Sequence, residues 1–116
     1  MTVKELKNNK EYQFYCEITK SKVLKEIADT DYFDEWGCTV SLGETMVVEY
    51  NLCIDNTTDD NVNSSAIYKV TYNAQSDEYE TDYDTFIHYE IDFDNPRWKK
   101  ELENAMCKAL IEFCRL

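Results

Sequence analysis

The chain has 116 residues and a net charge of −12, one domain long enough to bury roughly two-thirds of the surface its unfolded form exposes. Hydrophobic residues at 43% and aromatics at 14%, with two Gly and one Pro, exclude a disordered or linker-rich chain. Residues 26–96 hold eighteen Asp or Glu against Lys69 alone, a block of −17 between termini of +3 and +2, so no basic footprint exists for phosphate binding.

Taken in order, Thr2-Val3-Lys4-Glu5 predicts a capping box, with Met1 and Leu6 as a hydrophobic staple, opening a helix that ends near Asn8-Asn9. Tyr12, Phe14, Cys16 and Ile18 alternate with polar neighbours and predict a first strand. Ser21 is the expected cap of a helix carrying Val23, Leu24, Ile27 and Ala28 on one side. Asp29 to Gly37 reads as a second short helical piece, capped by Thr30 and closed by Gly37 in the left-handed conformation. It carries Asp31, Asp34 and Glu35 around Tyr32, Phe33 and Trp36. Cys38–Leu42 and Met46–Ile54 are strands joined through Leu42-Gly43-Glu44-Thr45, and Met46, Val48, Tyr50, Leu52 and Ile54 share a face.

Residues 55–65 are polar and predict an irregular loop, followed by a strand from Ala66 to Tyr72. The stretch Glu78 to Asp94 then alternates over seventeen residues. Tyr79, Thr81, Tyr83, Thr85, Ile87, Tyr89, Ile91 and Phe93 occupy one register and predict a core-facing side. Glu78, Glu80, Asp82, Asp84, His88, Glu90, Asp92 and Asp94 occupy the other, with Phe86 the single apolar exception. That length predicts a bend or interruption near Asp82 to Thr85. Asn95-Pro96 predicts the start of a helix of about 30 Å with Trp98, Leu102, Ala105, Met106, Ala109, Leu110 and Phe113 as its apolar stripe. The expected fold is α+β, a single acidic domain over residues 1–116. It has an antiparallel sheet of four or five strands, a long C-terminal helix on one face and short N-terminal helices.

Chemistry-bearing motifs are scarce. His88 is the lone histidine, which removes most base, triad and metal arrangements at once. Cys16, Cys38, Cys53, Cys107 and Cys114 form no CxxC pair and sit in apolar or acidic contexts, which predicts core packing in a reduced, cytoplasmic setting. Gly37 and Gly43 cannot supply a phosphate loop, and residues 55–61 lack the glycine and final Glu of a calcium loop. No catalytic residue, metal or cofactor is expected, and no apolar run approaches a membrane span.

The carboxylates themselves carry the functional expectation. Residues i and i+2 on a strand lie about 6.7 Å apart, so Glu78, Glu80, Asp82 and Asp84 predict a row some 20 Å long. With Glu90, Asp92, Asp94, Asp31, Asp34 and Glu35 they form the expected partner-binding set. Such a field favours a basic protein, and holding like charges together costs stability that a partner's cations would offset.

In size, in the opening helix leading into a strand (Lys4-Glu5-Leu6-Lys7-Asn8-Asn9-Lys10-Glu11-Tyr12) and in the carboxylate-rich strand, the chain resembles the small acidic anti-CRISPR proteins of phages and mobile elements. The resemblance is one of class, and such inhibitors share no common motif. It implies a DNA mimic whose carboxylates occupy the site where a CRISPR nuclease uses arginines to read the motif beside its target. The alternative is an immunity protein or antitoxin that neutralises a basic nuclease toxin by the same electrostatics. A divalent-metal-dependent enzyme built on the acidic face is a third reading.

Overall fold

A computed structural model of the chain describes residues 1–57 and 62–116. Its elements run α1 (Val3–Lys7), β1 (Tyr12–Cys16), α2 (Lys20–Asp29), β2 (Tyr32–Leu42), β3 (Met46–Asp55), β4 (Val62–Asn73), β5 (Glu78–His88) and α3 (Trp98–Phe113). The strands form one antiparallel meander in the order β1-β2-β3-β4-β5. The α+β architecture is therefore the one the alternation and the C-terminal stripe predict. None of the helices is long and apolar enough to cross a membrane.

One face of the sheet makes the core. Val40, Val48, Tyr50, Leu52 and Ile67 meet Leu102, Met106, Ala109 and Leu110 of α3, all essentially sealed from water. The stripe on α3 explains this, since steps of three and four put those side chains on one side of the helix. The 16-residue helix is about 24 Å long and lies against β2, β3 and β4. Its start is later than the sequence predicts. Asn95 and Pro96 form a turn before it, with Asn95 Oδ1 accepting the Arg97 N–H at 2.9 Å and Asn95 Nδ2 donating to Glu101 at 2.9 Å.

The N-terminal elements close one side of the core. The capping box forms as expected, Thr2 accepting the Glu5 N–H at 3.1 Å, and Leu6 is fully buried although Met1 stays exposed. Tyr12 of β1 donates to Glu103 and lies 3.5 Å from Cys107, while Lys7 reaches Asn104 at 2.6 Å, so polar bonds tie α1 and β1 to α3. Burial, and then the Glu103 bond, drive the Tyr12 phenol far above its ordinary value. Thr19, not Ser21, caps α2 by accepting the Lys22 N–H at 3.1 Å. That register buries Val23 and leaves Leu24 outside.

The largest correction concerns residues 29–37. They are not a helical piece. Tyr32 onward is strand β2, because its β-forming aromatics pair in register with Asp55 back to Met46. Thr30 Oγ1 instead donates to the carbonyls of Glu26 and Tyr32 at 2.8 Å, joining the end of α2 to the start of β2. Gly37 is not left-handed. It sits in an irregularity of pairing between Trp36 and Cys38, where a Cβ would lie 2.0 Å from Ile18 Cγ1. The left-handed glycine is Gly43, in the β2–β3 turn. Cys16 and Cys38 are direct cross-strand partners and are joined as a disulfide, where a reduced pair was expected.

Strands β3 and β4 reach further into residues 55–65 than the expected loop allows, ending at Asp55 and resuming at Val62. The middle of that loop, and of the weak calcium-like segment, lies outside the described residues, including Asp59 and Asp60.

Candidate functional site

Strand register decides where the carboxylates go. Directly paired residues in an antiparallel sheet share a face. Val48 of the core face pairs with Lys69, and Lys69 with Asp82; Met46 pairs with Thr71, and Thr71 with Glu80. Glu80 and Asp82, with Glu78 opposite Asn73, therefore stand on the same side of the sheet as α3. They remain solvated because β5 is an edge strand and α3 lies over its neighbours.

After Asp82 the ladder slips. Lys69 pairs with Asp82 but Tyr68 pairs with Phe86, so residues 83–85 bulge where the alternation predicts an interruption. The slip reverses parity: Ile87 faces the core, and Phe86 and His88 face away. Asp82 anchors the bulge by accepting the Asp84 N–H at 3.0 Å and the Thr85 hydroxyl at 2.9 Å. The Thr85 bond first, then the Asp84 N–H, hold its carboxyl below the ordinary range, so it stays ionised.

The row thus has three members in register, Glu78, Glu80 and Asp82, spanning about 13 Å rather than 20 Å. Asp84 projects from the bulge. Glu90, Asp92 and Asp94 follow the strand, which ends at His88, and all three are exposed in the link to α3. Asp94 pairs with Lys20 at 3.3 Å. Asp31 precedes β2, Asp34 points to the helix-free side, and Glu35 points to the helix side, where it pairs with Lys22 at 2.8 Å. The structure brings the β5 acids together along one edge and places the β2 acids apart from them.

The other register of β5 holds a correction. Tyr79 and Tyr83 do not face the core; Tyr83 is 61% exposed. They belong to the helix-free face. There Trp36 and Tyr83 meet edge to face at 6.3 Å and Tyr68 and Tyr83 at 5.5 Å, while Tyr68 and Phe86 pair at a tilt at 5.7 Å and Tyr72 and Tyr79 at 5.1 Å nearby. Phe86 is 54% exposed and Trp36 46%. Tyr89 behaves as expected, half-buried against Tyr50 at 6.1 Å.

On this same face Glu49 stands opposite Tyr68 and accepts a bond from the Thr81 hydroxyl. Burial raises its carboxyl above the ordinary range, and the Thr81 bond opposes that shift. Asp34, two residues before Trp36, accepts from Asn51 at 2.9 Å. Beside Glu49 lies a shallow depression of about 430 Å³ floored by Val47 and Val70 and rimmed by Tyr79, whose hydroxyl donates to the Glu44 carbonyl at 2.8 Å.

No known protein family, curated protein or solved structure matches this chain. Among the described residues, no three His, Cys, Asp or Glu side chains gather as a set that could hold a metal ion. What the surface offers is charge and rings. Sequence reasoning missed the ring-bearing face because it assigned apolar register to core, yet Phe86 was the visible signal: the one apolar residue out of phase sits where the parity reverses.

Proposed function

We propose that the chain is an acidic protein-binding inhibitor that occupies the nucleic-acid site of a basic partner, a CRISPR nuclease by the class it resembles. One observation supports this: apart from Asp94, the acids of β5 and its following link make no ion pair among the described residues. The described residues make three ion pairs, Lys7–Glu103, Lys20–Asp94 and Lys22–Glu35. None of them engages Glu78, Glu80, Asp82, Asp84, Glu90 or Asp92. A solvated edge that is merely soluble has mixed signs, and along β5 Lys69 is the one basic cross-strand partner in the described register. Carboxylates spaced along an edge strand also blunt edge-to-edge association, a structural duty met by far fewer charges.

The mechanism is competition. Negative groups on an extended edge attract the arginines and lysines with which a nuclease holds phosphates, and the complex forms fastest at low ionic strength. No bond is made or broken, so no catalytic residue or cofactor enters.

The test is DNA cleavage by a panel of CRISPR nucleases with increasing amounts of the chain, beside a parallel panel of basic nuclease toxins. Inhibition of the first panel, relieved by added salt and by Glu80→Lys with Asp82→Lys, is the expected result. Inhibition confined to the toxins moves the partner to the immunity-protein alternative. Inhibition indifferent to charge reversal, or none in either panel, removes the proposal.

A further inference from the structure

The helix-free sheet face has chemistry that acidity alone does not account for. A cluster of four rings, Trp36, Tyr83, Tyr68 and Phe86, crosses from β2 to β5, with Tyr83 edge to face against both Trp36 and Tyr68 and Phe86 tilted on Tyr68. Rings set edge to face leave ring faces open to solvent rather than stacked away. Two carboxylates flank the cluster, Asp34 beside Trp36 and Glu49 opposite Tyr68. The register places no Lys or Arg on this face among the described strand residues, since Lys69 pairs with Val48 on the other side.

That combination selects its occupant. Nucleic acid is repelled by a face on which the described strand residues place Asp34, Glu49 and Asp55 and no Lys or Arg. A second copy is disfavoured likewise, because each copy carries −12 and would set Asp34 and Glu49 against their equals. A plain apolar helix would bury those carboxylates unpaired, which is costly. Arginine satisfies both components. Its flat guanidinium lies on aromatic faces and offers paired donors to a carboxylate, whereas the strongly hydrated lysine ammonium is a poorer match to a ring face.

We infer that the face formed by Trp36, Tyr68, Tyr83 and Phe86 is a docking surface for an arginine-bearing segment of a basic partner protein, with guanidinium groups lying on the rings and pairing with Asp34 and Glu49. It rests on the proposed function for the sign of the partner's charge, and on the ring cluster for the site. Tyr83 and Phe86 belong to the strand that carries the acidic edge, so one partner reaches both surfaces.

The experiment compares an oligoarginine with an oligolysine of equal length, at low ionic strength, by calorimetry and by the tryptophan indole N–H signals in NMR. Trp98 is half-buried against Phe93 at 5.1 Å and serves as the internal reference. Oligoarginine is expected to bind at least about fivefold tighter than oligolysine and to shift Trp36 but not Trp98. Trp36→Ala with Tyr83→Ala should abolish the preference while the circular dichroism of the fold is kept. Glu78→Gln with Glu80→Gln should weaken both peptides and keep it. Equal affinities with Trp36 unmoved overturn the inference and leave the inhibitor proposal standing. Arginine-selective binding at the rings by a chain that inhibits no nuclease does the reverse. A concentration-dependent dimer that buries Trp36 assigns the face to a second copy and overturns the inference. Absence of binding by either peptide likewise overturns the inference, with the nuclease panels deciding the inhibitor proposal.

Discussion

The two faces of the sheet differ in kind. Under α3 the contacts are aliphatic, Val40, Val48, Leu52 and Ile67 against Leu102, Met106 and Leu110, and nearly every atom is dry. On the opposite face Trp36, Tyr79, Tyr83 and Phe86 stand in water around a half-buried Tyr68, beside Asp34 and Glu49. Stability is concentrated on the first face because burial of apolar area is what drives folding. Rings left on the second face gain little from burial within the chain, which is why the proposed docking surface is placed there.

The sharpest way to break this contrast is to truncate each face in turn. Leu102→Ala or Leu110→Ala should cost about 2–5 kcal/mol in urea unfolding, since both are completely buried. A loss comparable to that of a surface change would deny α3 its place in the core. Next comes Gly37→Ala. A Cβ placed 2.0 Å from Ile18 Cγ1 and 2.4 Å from its Cδ1 overpacks the junction of β2 with the β1–α2 segment, for an expected loss of about 1–3 kcal/mol.

Changes on the open face should be far milder. Tyr83→Ala or Phe86→Ala is expected to shift stability by less than about 1 kcal/mol, the scale of an exposed aromatic pair. A loss matching the core truncations would mean that this face is folded against something within the chain. The smallest effect is a gain. The Glu49 carboxyl is raised by burial, so the fold favours its protonated form, and that contribution declines as pH rises from below 4.5 through the higher folded value. Glu49→Gln keeps an acceptor for Thr81 and should raise the thermal midpoint slightly at neutral pH. The advantage should vanish in acid; a destabilised variant at neutral pH would show that the charge is wanted in the free protein.

Much of the covered face was legible in the sequence because its elements repeat without interruption. The alternation of Met46, Val48, Tyr50, Leu52 and Ile54, the stripe on α3 and the Thr2–Glu5 box each identify their side of the fold. The open face was not, for one physical reason applied twice. Pairing slips at Trp36–Cys38 and across residues 83–85, and each slip reverses which parity faces the core. Counting by twos across such a slip assigns Tyr79 and Tyr83 inward when they point out. It also treats Asp29 to Gly37 as something other than a strand, since in/out alternation is lost at Gly37. The bend near Asp82 to Thr85 was predictable from length, but its consequence for facing was not.

The most direct measurement follows the Trp36 indole N–H while the chain is titrated with a nuclease that it inhibits or with oligoarginine at rising ionic strength. A saturable shift at Trp36, an unmoved Trp98, and affinity that falls steeply with salt are expected. Full inhibition with Trp36 unperturbed and affinity independent of salt would contradict that expectation.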